Sequence, residues 1–254
     1  MGTRRRTVSE RVRTPAAIAY AFLSLLVYGP LALLALPFDR DQRVHDRLSI
    51  WWARGALRLG GLRFRVVGGE DLRRDTHYIV AANHQSMIDP LLIVAALQSR
   101  TSIRFVAKAD NFKLPIVGWT MRLFGHLSVD PSSARRSLAG LKQAEAELTR
   151  FSRVFFAEGT RTLTGAVGEF RLAPFRIAQR AGVPIVPITI DGSFQALPKA
   201  SFVVDGDARV VITVHPPMDP PTAEAGSVAA VAGACQALVA SELPVEPARG
   251  SEPE

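Results

Sequence analysis

The stretch YIVAANHQSMIDPLLIVAAL, residues 78–97, decides the fold. Its first part is an apolar run ending at Asn83, the middle is a short polar turn, and Asp89-Pro90 opens a second apolar run. Asp followed by Pro suits a helix start. The carboxylate accepts N–H groups that have no partner in the first turn, and the ring of proline presets φ. A strand that is apolar throughout, followed by a tight turn and an apolar helix, belongs to a buried sheet with helices packed on it.

Working outward, the same alternation recurs. Candidate strands are Leu62–Val67, Tyr78–Ala82, Ile103–Ala107, His126–Val129, Arg153–Ala157, Pro184–Ile190, Phe202–Val204 and Arg209–His215. Candidate helices are Pro90–Leu97, Pro115–Phe124, Ala134–Arg150, Pro174–Ala181 and Ala223–Ser241. The pattern predicts an α/β fold, a mixed sheet flanked by helices, over residues 61–241. The Pro/Glu-rich end, residues 242–254, reads as a disordered tail.

The 254 residues are 48% hydrophobic, enough apolar surface to exclude disorder over most of the chain. A single cysteine, Cys235, excludes an internal disulfide framework. The net charge of +8 is unevenly placed. Residues 1–65 carry twelve Arg against Glu10, Asp39, Asp41 and Asp46, so the whole excess lies there and the remainder is neutral. A nucleic-acid binder needs a basic face on its folded domain. A basic end around an apolar stretch points to an anionic membrane surface instead.

That apolar stretch, residues 15–38, contains no charge and is interrupted by Gly29-Pro30, where a bend or hairpin is expected. Its length allows a crossing, and its N-terminal position allows a cleaved signal, although a clean small-x-small cleavage site is missing. Arginines flank both ends, which favours one face of the bilayer for both and hence an interfacial or re-entrant segment. Residues 40–59 follow as an amphipathic helix. Arg40, Arg43, Arg47, Arg54 and Arg58 form a stripe beside Val44, Leu48, Trp51, Trp52 and Leu59, while Ile50 and Leu57 break the pattern. Such a helix suits a membrane interface, and a helix packed on the domain with a solvated face is the alternative. Residues 1–60 therefore read as a basic, two-helix membrane-associating segment.

Three segments carry candidate chemistry. In NHQSMID, the turn can bring Asp89 to the His84 ring, fixing its tautomer and strengthening its other nitrogen as a base; spacing alone is also compatible with a plain cap and a loop histidine. In RVFFAEGTRT, residues 153–162, a buried strand runs into Glu158, Gly159, Thr160 and Arg161. Glycine permits a close turn, and a guanidinium fork suits phosphate. In AGVPIVPITIDGS, residues 181–193, two prolines in a buried run suit the wall of a cleft. G-x-S-x-G, P-loop, G-x-G-x-x-G, H-E-x-x-H and C-x-x-C patterns are all absent from the sequence.

In this order and spacing, NHQSMID, FAEGTR and VPIVPI resemble the glycerolipid acyltransferase family, specifically the 1-acyl-sn-glycerol-3-phosphate acyltransferases. The resemblance covers roughly residues 40–240. The H-x4-D motif of that family falls on His84 and Asp89, its second block on Gly125–Pro131, its F-P-E-G-T-R block on Phe156–Arg161 and its V-P-I-V-P block on Val183–Pro187. Pro131 stands where the family has Arg, a departure for which Arg135 or Arg136 is the candidate compensation. Ala157 replaces Pro, and Ala173 replaces Gly in FRLAPF, next to a loose match at Arg171.

The resemblance implies transfer of a fatty acyl group from a thioester, acyl-CoA or acyl carrier protein, to the sn-2 hydroxyl of lysophosphatidic acid. It implies His84 as base, Asp89 as its orienting partner, Arg161 as phosphate clamp, and no cofactor or metal beyond the co-substrate. Glu158 is expected to bond glycerol or to hold Arg161. N–H groups at the Asp89-Pro90 helix start, or Lys108, are expected to meet the oxyanion. The partners implied are membrane phospholipid, a lysophospholipid acceptor and an acyl thioester donor, at the cytoplasmic face of the cell membrane. Another acceptor, such as a lyso-ornithine lipid, a non-catalytic lipid-binding protein and a metal hydrolase are the competing readings.

Overall fold

A computed structural model of the chain describes residues 8–39, 42–130, 132–199 and 203–244. Arg40, Pro131, Phe202 and the tail from residue 245 onward lie outside the described residues.

The order along the chain is α1 (Val8–Leu23), α2 (Leu25–Ala35), α3 (Arg43–Leu59), β1 (Arg63–Gly68), β2 (Ile79–Ala82), α4 (Asp89–Leu97), β3 (Ile103–Lys108), a 3-10 turn (Ala109–Lys113), α5 (Val117–Leu123), β4 (Leu127–Val129), α6 (Ala134–Ala146), β5 (Ser152–Phe156), α7 (Ala173–Ala181), β6 (Ile185–Asp191), α8 (Ser193–Ala196), β7 (Arg209–Val214) and α9 (Val228–Ser241). One sheet runs β1-β7-β6-β2-β5-β3-β4. All neighbours are parallel except β6 and β7, so the sheet is mixed, as the alternating pattern predicts. Every residue of β2 is buried, which is why its sequence is apolar without alternation.

Two apolar layers sandwich the sheet. On one side α4, with Leu92, Ile93 and Leu97, packs on Val80, Val154 and Val186. On the other, Phe175 and Ile177 of α7 and Cys235 of α9 pack on Ile79 and Ile185. The first layer does not stop at residue 61, because Ala53 and Leu57 of α3 belong to it.

The N-terminal helices form a hairpin, but its bend is not at Gly29-Pro30. Both residues lie inside α2, and the helical run Arg13–Ala35 is long and apolar enough to cross a membrane by length and composition. The chain reverses after α2, and α3 runs back antiparallel: Tyr20 lies on Gly55, Ala17 near Gly60, and Ala32 packs with Leu48. Asp39 closes the turn, accepting the N–H groups of Val44 and His45 and the His45 ring at 2.7 Å. Gly29 serves close approach, because a β-carbon there would sit 2.4 Å from Cζ3 of Trp119 on α5.

α3 has three faces rather than two. Arg43, Arg47, Arg54 and Arg58 are exposed as the stripe predicts, and Val44, Trp51 and Leu59 are exposed beside them. The third face carries His45, Asp46, Ala53, Ala56 and Leu57 into the domain, which explains why Leu57 breaks the amphipathic pattern.

Three further boundaries differ from the sequence reading. Val203 and Val204 are not strand: the Val204 N–H goes to Oγ1 of Thr14 on α1 rather than to a ladder. The helix expected to run to Arg150 ends at Ala146 and closes in a 3-10 turn. The last helix starts at Val228, where Ser227 caps the Ala230 N–H.

A buried ion pair fixes α3 to the sheet. Asp46 accepts from Arg104 of β3 at 3.1 Å, from Gln98 at 2.5 Å and from Ser102 at 3.0 Å. Burial pushes the Arg104 guanidinium below its ordinary value, and the Asp46 carboxylate pulls it back. Removing one partner of a buried pair strands the other charge and costs ~3–5 kcal/mol. Asp46→Asn should therefore lower the denaturant midpoint sharply, whereas the exposed Asp75→Asn should leave it nearly unchanged. Equal midpoints for the two variants would show that Asp46 does not anchor α3.

Candidate functional site

β2, β5, β3 and β6 run in the same direction, so their C-terminal ends share one edge of the sheet. The chain crosses from β2 to β3 on one side of β2 and later from β5 to β6 on its other side. In open α/β sheets such an edge is where ligands bind. The groove lined by Asp75, Thr76, His77, Thr149 and Gly182 lies at the other edge, before the strands begin.

Just past β2, Asn83 ties its amide to β6. It donates to the Ile190 carbonyl at 2.9 Å and accepts the Ile190 N–H at 2.8 Å. His84 follows. Its Nδ1 lies 2.9 Å from Oδ2 of Asp89, and the same oxygen accepts the N–H groups of Gln85 and Ser86 at 2.7 Å each. Asp89 is the first residue of α4 and Ile88 is its cap. The carboxylate thus folds back over the preceding turn instead of capping its own helix. In the turn before the helix, the N–H groups of Gln85 and Ser86 are thereby committed to Asp89.

With Nδ1 beside Asp89, the His84 Nε2 has no hydrogen-bond partner among the described residues, and the side chain is 17% exposed. The ring stacks on Phe156 of β5 with centroids 3.9 Å apart and planes at 16°. Asp89 is fully buried and its Oδ1 makes no hydrogen bond among the described residues. A buried carboxylate against Nδ1 holds the ring in one orientation and leaves Nε2 as its outward nitrogen. The arrangement can take a proton at Nε2 from an incoming group and stabilise the imidazolium that results.

The turn after β5 is bolted to this histidine. Glu158 accepts the His84 N–H on Oε1 at 2.8 Å and the Gly168 N–H on Oε2 at 2.9 Å. The Thr162 N–H reaches the His84 carbonyl at 2.8 Å, and the Gln85 amide reaches the Gly165 carbonyl at 2.8 Å. Burial pushes the Glu158 carboxyl up from its ordinary value, and these two N–H groups pull it back. Each Glu158 oxygen thus accepts one backbone N–H, and among the described residues no hydrogen bond or ion pair joins Glu158 to Arg161, one of the two partners offered for it by the sequence.

Gly159 takes φ +73, a left-handed conformation that favours glycine. Nε of Arg171 lies 3.6 Å from where a β-carbon on Gly159 would sit. Arg161 is half-buried and Thr160 exposed, and neither Arg161 nor Arg171 has a carboxylate partner among the described residues. Lys108 ends β3 and is exposed. β5 separates β3 from β2, so their axes lie about 10 Å apart. Lys108 shares the edge with His84 without being brought against it. Of the arginines offered to replace the one absent at position 131, Arg136 is paired with Asp130 at 2.8 Å, and Arg135 is exposed.

Sequence reasoning missed two supporting residues. Phe156 had a signal, since it opens the FAEGTR block; Gly168 had none. Two exposed apolar side chains, Met87 and Leu163, belong to the two joined loops.

A helix-flanked mixed sheet with a His–Asp pair locked to a Glu-Gly-Thr-Arg turn defines a class. The family profile described as Acyltransferase matches residues 63–191, and the chain belongs to that family. Among its relatives, a 1-acyl-sn-glycerol-3-phosphate acyltransferase of Chlamydomonas reinhardtii is 31% identical over 89% of this chain and 65% of its own length. A chloroplastic one of Arabidopsis thaliana is 31% identical over 80% of this chain and 56% of its own. The chain thus spans 56% to 65% of the length of these two relatives. The crystal structure of the LPA acyltransferase PlsC from Thermotoga maritima shares the fold, with a TM-score of 0.73 at 24% identity, over 91% of this chain and 95% of that one.

Glu158 accepts from two backbone N–H groups as a carboxylate. Glu158→Gln must set an amide NH2 against one of them, leaving a buried donor unsatisfied, which costs ~1–3 kcal/mol. The variant should lower the melting temperature and speed hydrogen exchange at the His84 and Gly168 amides specifically. Unchanged exchange at both amides would show that Glu158 does not clamp the two loops together.

Proposed function

We propose that the chain transfers a fatty acyl group from an acyl thioester, acyl-CoA or acyl carrier protein, to the sn-2 hydroxyl of lysophosphatidic acid, giving phosphatidic acid. The observation that carries this reading is the His84 Nδ1 contact to Asp89 at 2.9 Å, which leaves Nε2 without a hydrogen-bond partner among the described residues, beside the Glu158–Arg161 turn. The relatives' names supply the substrate class.

The chemistry follows from the geometry. An alcohol is a poor nucleophile while it keeps its proton. His84 Nε2 removes that proton as the sn-2 oxygen attacks the thioester carbonyl. The C–O bond forms, the carbonyl oxygen takes the negative charge, and collapse breaks the C–S bond. The imidazolium, held by Asp89, then returns its proton to the departing thiolate. No acyl-enzyme is needed. Cys235 is fully buried between α9 and the sheet, and burial pushes its thiol up to about 12.

Arg161 is the phosphate clamp, with Arg171 over the same turn as its neighbour. Glu158 binds no substrate directly in this mechanism and instead holds the loop that presents His84. Lys108, exposed on the same edge, meets an anionic substrate group at the rim. The exposed apolar faces of α1, α2 and α3 with their Arg stripe lie on the cytoplasmic leaflet, so the lysolipid comes from the membrane and the thioester from the water. Insertion to the level of the interface combines burial of apolar side chains with about 1 kcal/mol per arginine at an anionic surface.

An acyl-transfer assay against a panel of lysolipids, with one acyl-CoA, tests the reading. His84→Ala should lower turnover by ~10²–10⁴-fold while the fold survives, the usual effect of losing a general base. Near-normal turnover would sink the mechanism. Arg161→Ala should lower kcat/KM for lysophosphatidic acid by the equivalent of ~2–5 kcal/mol, and much less for an acceptor without a phosphate monoester. An equal loss on both acceptors would make Arg161 structural.

A further inference from the structure

Between β3 and β4, through the 3-10 turn and α5, the chain makes an excursion that the mechanism above does not use. It leaves β3 at its C-terminal end, on the edge that carries His84 and Glu158. Three large apolar side chains in it face outward: Leu114 is 49% exposed, Ile116 36% and Trp119 45%. In a protein whose β2, β5 and β6 cores are so completely buried, such a group is not left over from packing; an exposed apolar cluster marks a contact surface.

The excursion is built to hold these side chains out. Phe112 is buried behind them, and Arg122 bridges the carbonyls of Phe112 and Gly118 at 3.0 and 3.1 Å. The Thr120 hydroxyl bonds the Ile116 and Val117 carbonyls at 2.9 Å each. Ile116 takes φ +64, a left-handed conformation that is costly for a β-branched residue, yet its side chain gains little burial from it. Strain that is not repaid inside the fold points to a use outside it.

The surface is continuous with α2. The Trp119 ring lies on Gly29, and α2 turns Leu26, Val27, Leu31 and Leu34 outward. Tryptophan next to an apolar face is the residue type that settles at a membrane–water interface.

We propose that Leu114, Ile116 and Trp119 form a second lipid-contacting surface, on the acyltransferase domain itself, that seats the His84 edge against the bilayer beside α2. The proposal rests on the reading of the N-terminal helices as membrane-associated. α1–α2 alone would tether the domain and leave it free to tilt. A second contact on the catalytic edge fixes its orientation, so that a lysolipid reaches His84 without leaving the leaflet.

The full chain carrying Leu114→Cys, labelled with an environment-sensitive nitrobenzoxadiazole dye, tests this. Cys235 is fully buried and its thiol is pushed up to about 12, so it does not compete for the label. A second chain with Gln179→Cys, near the end of α7 and toward the opposite edge, serves as reference. Both are mixed with phosphatidylcholine–phosphatidylglycerol vesicles and floated in high salt. We expect both to float. On vesicles the label at 114 should shift to shorter wavelength, be quenched by lipids brominated on their acyl chains, and be shielded from iodide. The label at 179 should do none of these. Flotation with a 114 label that behaves like the 179 label overturns the second contact and leaves the N-terminal one intact. Failure of both chains to float overturns the membrane reading and this proposal with it.

Discussion

One oxygen, Oδ2 of Asp89, gathers the Gln85 and Ser86 N–H groups and the His84 ring within 2.7 to 2.9 Å. Each bond alone is modest, but together they convert a flexible polar turn into a rigid one and set the tautomer of the base in the same act. An ionised acceptor shared by several donors makes stronger bonds than a neutral one. The apolar strand and helix on either side exist to bury this carboxylate: β2 and α4 are almost completely sealed, and Asp89 sits at their junction. A solvated carboxylate in the same place would be screened and would orient the ring weakly.

The second half of the site is arranged around the first by backbone hydrogen bonding. Glu158 and Thr162 reach across from the β5 turn to the two polar backbone atoms of His84. The turn that presents Arg161 therefore cannot move independently of the histidine. Phe156, one strand over, fixes the plane of the ring. Fixed donors and acceptors of this kind keep a base and a charge clamp at a constant separation, the form of preorganisation that positions a reactant for attack. The α3 helix is drawn into the same rigid body through Asp46 and Arg104, so the sheet edge keeps a set angle to that helix.

Much of this is legible in the sequence because burial writes itself as composition. The β2 run is apolar without alternation because both its faces are covered, and Asp89-Pro90 announces a helix start. The spacing of His84 and Asp89 permits their pairing as well as a plain cap, and the fold decides for the pairing. What escapes sequence reading is tertiary. The valines of Phe202–Val204 look like strand, but Thr14, nearly two hundred residues earlier, takes the Val204 N–H. Gly29-Pro30 looks like a bend, but the glycine is there to admit Trp119. Leu57 spoils an amphipathic stripe because α3 serves the domain as well as the surface. Glu158 reads as a partner for glycerol or for Arg161, and only the fold reveals two backbone N–H groups converging on it.

The central claim is that Asp89 holds His84 with its proton on Nδ1 and its Nε2 lone pair free. Two-bond ¹H–¹⁵N correlation spectra of the imidazole nitrogens, at a pH where the ring is neutral, read this directly. The account predicts that His84 shows a protonated Nδ1 and an unprotonated Nε2, and that Asp89→Asn abolishes this preference. A His84 ring carrying its proton on Nε2 in the unsubstituted chain would contradict it, because that tautomer has no lone pair facing the acceptor hydroxyl and the site would have no base.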